Sequence, residues 1–507
     1  YEFGNFKIFS MENDNDFSHL RWTLDEEKDY IFLNELFKKI PENISWLGII
    51  SFLIKNPLLQ IRNDNIKSNE GAIDPNNRGS KRYNKSNDLF KKAKNLIPLA
   101  SQTFSKSYLQ LPKGAAPLFV ERAQGVKIVD PDGNHYIDYV LGLLPITLGY
   151  CDIDVDQAVI KQIMKGNIFS LPSKLEMELA ERLKQIIPSA EMVRYGKNGS
   201  DATSAAVRLA RAYTSKDLIA VCGYHGWQDW YIGSTTRDLG VPDKIKSLTK
   251  RFTFNDIDTL KHLFNKYPKK FAAIILEPAG LVGTDISFLK DVKELCLKNN
   301  ALLIFDEIIS GFRINLGGAQ KEYGIKPDLS CFGKGMANGY PLSAVVGSKK
   351  IMSLMEEIFF SATFGGETLS LAASIATINK MIEKSTISKV NNYGSKLISE
   401  LNYICNLHGV NEFLYVSNIN WWPQLVVDKP PLENNLFLSL LRQEFLKNGL
   451  YLLNTFNLCY AHTNKDILNQ TKEKFSESIS NLKSIINSEN PKKYLKGDLI
   501  SPTFKVR

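Results

Sequence analysis

The 507-residue sequence has no apolar run long enough to cross a bilayer. Its nearest candidate, Trp46 to Ile54, is interrupted by Gly48 and Ser51 and falls far below the ~20 residues a spanning helix needs. It reads as a buried helix, and no membrane partner is expected. No charged-then-apolar leader precedes it, and the chain begins with Tyr1 rather than Met, which reads as a processed form or a fragment. Also missing is any C-x-x-C pair. The six cysteines, Cys151, Cys222, Cys296, Cys331, Cys405 and Cys459, are widely spaced and mostly within apolar segments. That spacing excludes a zinc framework or a disulfide scaffold and reads as buried, reduced thiols of a cytoplasmic protein that binds no metal. No low-complexity tract is present, and 44% apolar with 23% charged residues is the composition of a globular chain. The net charge of +9 does not come from a block of basic residues, so a nucleic-acid partner is not expected. Residues 1–90 hold 12 Lys+Arg against 14 Asp+Glu, which leaves 51 against 40 in the remainder, a mildly basic region suited to anionic ligands.

What is present is length enough for two to four structural units and a large buried site. Residues 1 to about 70 give a short strand, an amphipathic helix from about Glu26 to Ile40 ended by Pro41, and a second helix from about Ile44 to Lys55. A polar, Gly- and Asn-rich run from Asn63 to Asp88 follows, with its residues 71–88 as the linker. From Leu89 to Tyr150 a helix precedes FVERAQGVKIVDPDGNHYIDYV, two alternating strands around the turn Asp130-Pro131-Asp132-Gly133. Helical segments near 173–187, 201–213, 257–266, 289–299 and 370–383 then alternate with strand-like runs near 192–195, 218–222, 272–276, 301–305 and 329–332. Such alternation predicts an α/β fold with a mostly parallel sheet flanked by helices. A smaller α+β unit, about 388–486, and a polar tail complete the chain.

The run Ala301 to Phe305 is short and continuously apolar, the pattern of a strand buried on both faces, and it ends on Asp306 and Glu307. Open α/β sheets bind ligands at that edge. A second run, Leu329 to Phe332, ends at Gly333-Lys334-Gly335, which brings Lys334 to the same edge as Asp306. An acid and an amine sharing one pocket suit pyridoxal phosphate, whose aldehyde needs a lysine and whose ring nitrogen needs a carboxylate. Taken singly, a lysine is usually a solvated surface group and an aspartate at a strand end a helix cap. Three further groups arrive at the edge. Asn198-Gly199-Ser200-Asp201 opens a helix and offers amides and a hydroxyl to a phosphate, although Ser and Asp there are also ordinary caps. Tyr224-His225-Gly226-Trp227 follows a strand, and an aromatic there either stacks on a flat ring or packs in the core. Glu277-Pro278 adds a carboxylate, and Ser361 to Gly366 adds the Thr363 hydroxyl before a helix.

The passages PDGNHYIDYV, NGSDATSAAVRLARA, GYHGWQDW, LLIFDEIISGFR, PDLSCFGKGMANGYPLSAVVG and TFGGETLSLAA, in this order across Leu89 to Arg507, resemble the class III, fold-type I pyridoxal phosphate aminotransferases, most closely the glutamate-1-semialdehyde aminomutase branch. The resemblance implies a large cofactor domain, 151–385, and a small domain made from 89–150 and 386–507. It makes Lys334 the Schiff-base lysine, Asp306 the partner of the pyridine nitrogen, Tyr224 the stacking residue with His225 beside it, and Gly199 and Ser200 phosphate ligands, with Glu277 in the cofactor set. Thr363 falls where the family's threonine reaches the neighbouring subunit's phosphate, implying a homodimer. Three positions depart from the branch: Val282 replaces its asparagine, Lys106 its substrate-binding arginine, and Glu367-Thr368 its N-P pair. Lysine keeps the charge but loses the bidentate fork. Lys106 and Glu367 are therefore the expected substrate-side residues.

The passage L-R-W-T-x-D-x-x-x-D and a later N-P within residues 1–70 resemble the C-terminal tail of spore-coat-polysaccharide-type cytidylyltransferases. No glycine-rich nucleotide loop of that family precedes it, so nucleotidyl transfer is not expected; a helical cap is the other reading. The expected activity is transfer of an amino group from an amino-acid donor to a keto or aldehyde acceptor, with a sugar or cell-surface-glycan precursor as the favoured acceptor. The alternatives are an intramolecular aminomutase and a catalytically silent relative that only binds.

Overall fold

The computed structural model describes residues 33–41, 44–45, 48–49, 52–53 and 82–501. The chain divides into two compact units, Tyr1–Lys81 and Arg82–Arg507. In the first, residues 33–37 are helical, and Leu36 and Leu53 are buried among Leu33, Ile40, Ile49 and Phe52. The strand expected ahead of this helix, residues 26–32 of the expected helix and half of 44–55 lie outside the described residues.

The second unit opens with the helix Asn84–Ala93, and three short antiparallel strands follow, β1 (Arg122–Gln124), β2 (Lys127–Val129) and β3 (His135–Asp138). The expected hairpin turns where Val129 meets His135, with Gly133 at φ 82° and its amide bonded to the Asp130 carbonyl at 2.9 Å. The large sheet contains β4 (Met192–Gly196), β5 (Leu218–Cys222), β6 (Thr249–Arg251), β7 (Phe271–Leu276), β8 (Leu302–Asp306), β9 (Leu329–Phe332) and β10 (Ser343–Gly347), in the order β4-β10-β9-β8-β7-β5-β6. Neighbours are parallel except at β10, which is antiparallel to both β4 and β9. The sequence reading lacked β6 and β10. The sequence of β6, Thr-Lys-Arg, has no apolar signal, and β10 follows β9 after residues 333–342, too short for the crossover of about a dozen residues that a parallel pair requires.

Strands β7, β8 and β9 are buried along their whole length, because helices cover both faces. Their side chains alternate. Ile275, Ile304 and Cys331 join the core under the helix Gly199–Thr214, whose buried Ala202, Ala205, Ala206 and Ala210 let it lie close to the sheet. Ile274 and Leu303 face the helices Ile257–Lys266 and Ile286–Lys298. Each such isoleucine or leucine contributes about 1.5–3 kcal/mol on burial, which fixes the strands and hence the residues at their ends.

The C-terminal part comprises the helix Thr386–Leu407, the hairpin β11 (Leu414–Val416) with β12 (Leu425–Val427), the helix Asn434–Lys447, β13 (Leu450–Tyr451) and the helix Lys465–Ile486. Strand β13 pairs in parallel with β3, giving the order β1-β2-β3-β13. The hairpin before the large sheet and the segment after it thus share one sheet and one core, with Tyr139, Phe437, Phe445 and Phe475 inside. Among the described residues no helix is long and apolar enough to cross a membrane.

Candidate active site

Asp306 ends β8 opposite Cys331 of β9, three residues ahead of Lys334. It is 3% exposed; its Oδ2 lies 2.8 Å from His225 Nδ1, and its Oδ1 accepts the Ile308 amide at 3.1 Å. The second ring nitrogen of His225, Nε2, is 3.0 Å from the Cys222 carbonyl. The imidazole is thus held between the Cys222 carbonyl and the Asp306 carboxylate, one ring nitrogen to each. His225 therefore fixes the carboxylate. Glu307, the next residue, does something else. Successive strand side chains face opposite sides, and the buried Glu307 accepts from the Ala319 and Gln320 amides at 2.8 and 2.9 Å and from the Ser310 hydroxyl. Burial pushes its carboxyl above the ordinary range, with those donors opposing.

Lys334 is half-buried at φ 32° in the turn Lys334–Ala337. A non-glycine residue held there costs about 1–3 kcal/mol and persists only where its surroundings enforce it. They do so here through three residues that the sequence reading missed. Thr147 Oγ1 donates to the Gly335 carbonyl at 3.1 Å, and Ser374 Oγ to the Met336 carbonyl at 2.8 Å. Asn338 accepts the Thr147 and Leu148 amides at 3.0 and 2.9 Å and donates to the Gly149 carbonyl at 3.0 Å. The Asn338-Gly339 turn dipeptide was their only sequence signal. Arg313, also missed, bridges the carbonyls of Leu144 and Leu458 at 2.6 and 2.8 Å. Burial lowers its guanidinium to about 10, yet it stays charged at neutral pH.

The helix expected from Asp201 begins at Gly199. Asp201 Oδ2 accepts the amides of Lys197 and Asn198 at 3.0 and 2.8 Å, which leaves those of Gly199 and Ser200 as first-turn donors without intrahelical acceptors. Ser200 Oγ accepts the Trp227 amide at 3.3 Å. The neighbouring glycines are needed. Gly226 has φ 105°, and a Cβ there would overlap Ser200 Oγ and come within 2.9 Å of Ser200 Cβ. A Cβ at Gly199 would lie 2.6 Å from Ile308, whose side chain also passes 3.7 Å from the Cβ position of Gly333, so the seat and the lysine loop share one neighbour.

Tyr224 is 37% exposed, its ring edge-on to Tyr231 at 5.7 Å, and its amide donates to Glu277 Oε2 at 2.9 Å. Glu277 thus holds the backbone of the stacking candidate. The remaining candidates sit apart from this buried set. Thr363 is exposed on the Ser361–Gly366 stretch, and Lys106 is exposed on the turn Phe104–Lys106, its amide bonded to Thr103 Oγ1 at 3.2 Å. Glu367 caps the helix Thr368–Glu383 through the Leu369 and Ser370 amides at 2.6 and 3.2 Å and pairs with Lys197 at 3.0 Å. Burial pushes its carboxyl up, but the Ser370 hydroxyl, Lys197 and the Leu369 amide outweigh that and hold it below the ordinary range.

A fixed acid, a lysine in an enforced turn and a helix N-terminus kept open by glycines, all at one edge of a mostly parallel sheet, define a pyridoxal-phosphate-dependent transferase of fold type I. The residues suit that cofactor: amides and a hydroxyl for its phosphate, a buried carboxylate for its ring nitrogen, and an amine for its aldehyde. Residues 109–413 match the aminotransferase class-III family model. Over 415 residues the chain is 36% identical to the 3-aminobutyryl-CoA aminotransferase of Cloacimonas acidaminovorans, covering 79% of this chain and 98% of that protein. Over 427 residues it is 33% identical to the glutamate-1-semialdehyde 2,1-aminomutase of Archaeoglobus fulgidus, covering 78% of this chain and all of that one. Among solved structures, the FumI protein of Sphingopyxis sp. MTA144 superposes with a TM-score of 0.75 at 29% identity, covering 82% of this chain and 100% of that one. The chain belongs to the class III aminotransferase family and is a pyridoxal-phosphate-dependent enzyme. The likeness of residues 1–70 to a cytidylyltransferase tail is not borne out; the matched family region begins at residue 109.

Proposed function

We propose that this enzyme is an intermolecular aminotransferase, taking the amino group of an amino acid such as glutamate and delivering it to a separate keto or aldehyde acceptor of the sugar or glycan-precursor type. The observation that carries the chemistry is Asp306, fixed by His225 at 2.8 Å, on the strand beside the one that leads into Lys334. When bound, pyridoxal phosphate supplies an aldehyde that takes up amines and a protonated ring that draws electrons from the substrate α-carbon. Asp306 stabilises that ring nitrogen's proton by its negative charge. Lys334 Nζ would hold the cofactor through its aldehyde and, when free, would take and return the proton at the substrate α-carbon. Gly199 and Ser200 bind the phosphate, and Tyr224, steadied by Glu277, covers the ring. Thr363 reaches the phosphate of a second copy, which makes the enzyme a homodimer with shared sites. Lys106 meets the substrate carboxylate as a point charge. The bonds of Glu367 support loop fixation in place of the substrate contact expected for it.

The altered substrate side, Lys106, Val282 and Glu367, favours two separate substrates, as does the 36% identity to an aminotransferase. The second reading, an aminomutase, draws on the 33% identity to that class. An aminomutase needs no external donor. Holoenzyme mixed with L-glutamate alone is expected to pass into the amine form of its cofactor, seen as loss of near-visible absorbance. Conversion of glutamate-1-semialdehyde to 5-aminolevulinate without added amine would establish the second reading instead.

A further inference from the structure

Between β5 and β6 the chain turns through Tyr224 and His225 and then forms the short helix Asp229–Ile232. Tyr231 of that helix is fully buried, and both its hydroxyl and its ring meet the site. The hydroxyl donates to the Gly223 carbonyl at 2.7 Å and accepts from the side chain of Arg251, the last residue of β6. Burial pushes the phenol up from its ordinary value against the opposing Arg251 charge, so it stays protonated and able to donate. On the other side of the same peptide unit, the Tyr224 amide donates to Glu277 Oε2 at 2.9 Å. Both polar groups of the Gly223–Tyr224 peptide are therefore held, by residues from two separate segments. Gly223 has φ 105°, and a Cβ there would lie 2.5 Å from Glu277 Oε2, so only glycine lets the chain pass this close to the carboxylate.

The ring of Tyr231 stands edge-on to Tyr224, with centroids 5.7 Å apart and planes at 90°, and to His225, at 5.2 Å and 76°. Edge-to-face contacts restrict the tilt of a neighbouring ring as well as adding to its burial. Trp230 braces the short helix. Its indole Nε1 donates to Ser204 Oγ at 3.0 Å on the helix Gly199–Thr214, and its carbonyl accepts the Thr249 hydroxyl of β6. Tyr224 is the proposed cover of the cofactor ring, and His225 is the partner of Asp306 at 2.8 Å. One buried residue thus touches both the ring assigned to the cofactor and the ring that sets its acid. We propose that Tyr231 is a positioning residue of the active site, fixing the plane of Tyr224 through the Gly223–Tyr224 peptide and the seat of His225 through its own ring. Loosening it weakens cofactor retention and slows turnover while leaving substrate binding as it is. This role rests on Tyr224 as the cover of the cofactor ring.

The test titrates apoenzyme with pyridoxal phosphate and measures kcat and KM of the holoenzyme with L-glutamate. Tyr231→Phe keeps the ring and removes only the hydroxyl; it is expected to raise the cofactor dissociation constant about 3- to 10-fold and to lower kcat by a similar factor, with KM within about twofold of wild type. Tyr231→Leu removes the ring as well and is expected to raise that constant about 10- to 100-fold; if it does not fold, Tyr231→Phe decides alone. Tyr393→Phe is the structural control, since it removes a buried hydroxyl contact of 3.0 Å to Tyr139 in the C-terminal core. It is expected to lower the melting temperature and leave the dissociation constant unchanged. The role of Tyr231 is overturned if Tyr231→Phe binds cofactor as tightly as wild type, if its loss lies in KM rather than kcat, or if Tyr393→Phe weakens cofactor binding equally. Tyr224→Leu separates the two assignments. Weakened cofactor binding there beside unchanged binding in Tyr231→Phe removes the role of Tyr231 alone, whereas unchanged binding in Tyr224→Leu removes the cover and the positioning role together.

Discussion

Asp306, His225 and Ser200 are 3%, 1% and 7% exposed, and each is held by a partner on another element, whereas Lys106 and Thr363 are exposed on turns fixed mainly by bonds within a few residues. The first group is the wall of the proposed cofactor site; Lys106 and Thr363 are the proposed rim. Wall positions follow from strand ends in a sheet whose central members are wholly buried, so one displaced side chain disturbs the core as well as the site. Exposed turns can change residues at little cost to the core, and for that reason the proposal puts substrate choice there. The sequence departures at Lys106, Val282 and Glu367 fall outside the buried wall: Lys106 is exposed, Val282 is 66% exposed, and Glu367 belongs to a loop anchor.

The largest effect that could break this contrast is at Lys334. Lys334→Ala is expected to abolish the near-visible absorbance of bound cofactor and to lower turnover by at least ~10³-fold; a variant of comparable activity would remove the wall from the chemistry. Asp306→Asn should keep cofactor but lose about 10²–10³-fold in kcat, because an amide cannot stabilise a protonated ring nitrogen by charge. Normal rates in that variant would assign the proton to another group. Gly226→Ala combines an unfavourable positive φ with overlap on Ser200, and cofactor dissociation constants measured by titrating apoenzyme should rise ~10- to 100-fold. Unchanged affinity would show that Ser200 is not part of the phosphate seat.

The smallest effect is expected at the loop anchor. Glu367→Gln should weaken cofactor binding only several-fold, about 1 kcal/mol, and lower the melting temperature slightly. The sign of its pH dependence follows from the carboxyl being held below its ordinary value of 4.5. The stabilisation is present above 4.5 and is lost as pH falls through the lower folded-state value. The gap in melting temperature between wild type and Glu367→Gln should therefore close under acid. A gap that stays constant below pH 4.5 would mean the pair with Lys197 is not its source.

Much of the wall was legible because buried parallel strands leave long apolar runs and their ends can be counted. The runs 218–222 and 329–332 match β5 and β9 residue for residue, and Asp306 and Lys334 follow from the ends of β8 and β9. Strand β6 was not legible, since three polar residues carry no pattern, and β10 was hidden behind the glycine-rich turn that precedes it. Neighbouring residues also hid opposite jobs. Asp306 and Glu307 look alike as an acidic pair, yet one is fixed by His225 and the other caps the turn at Ala319 and Gln320.

Sequence alone determined the local quantities: which segments are apolar with which period, where glycines permit a tight turn, and which acid and amine end adjacent strands. Those depend on side-chain volume, polarity and backbone freedom over a few residues, which the chain states directly. Only the tertiary structure decided the pairings across long separations. Strand β13 joins β3, Asn338 grips 147–149, Arg313 bridges Leu144 and Leu458, and Arg237 meets Phe104. Each joins groups whose contact is fixed by how whole elements pack, and no local periodicity encodes that distance.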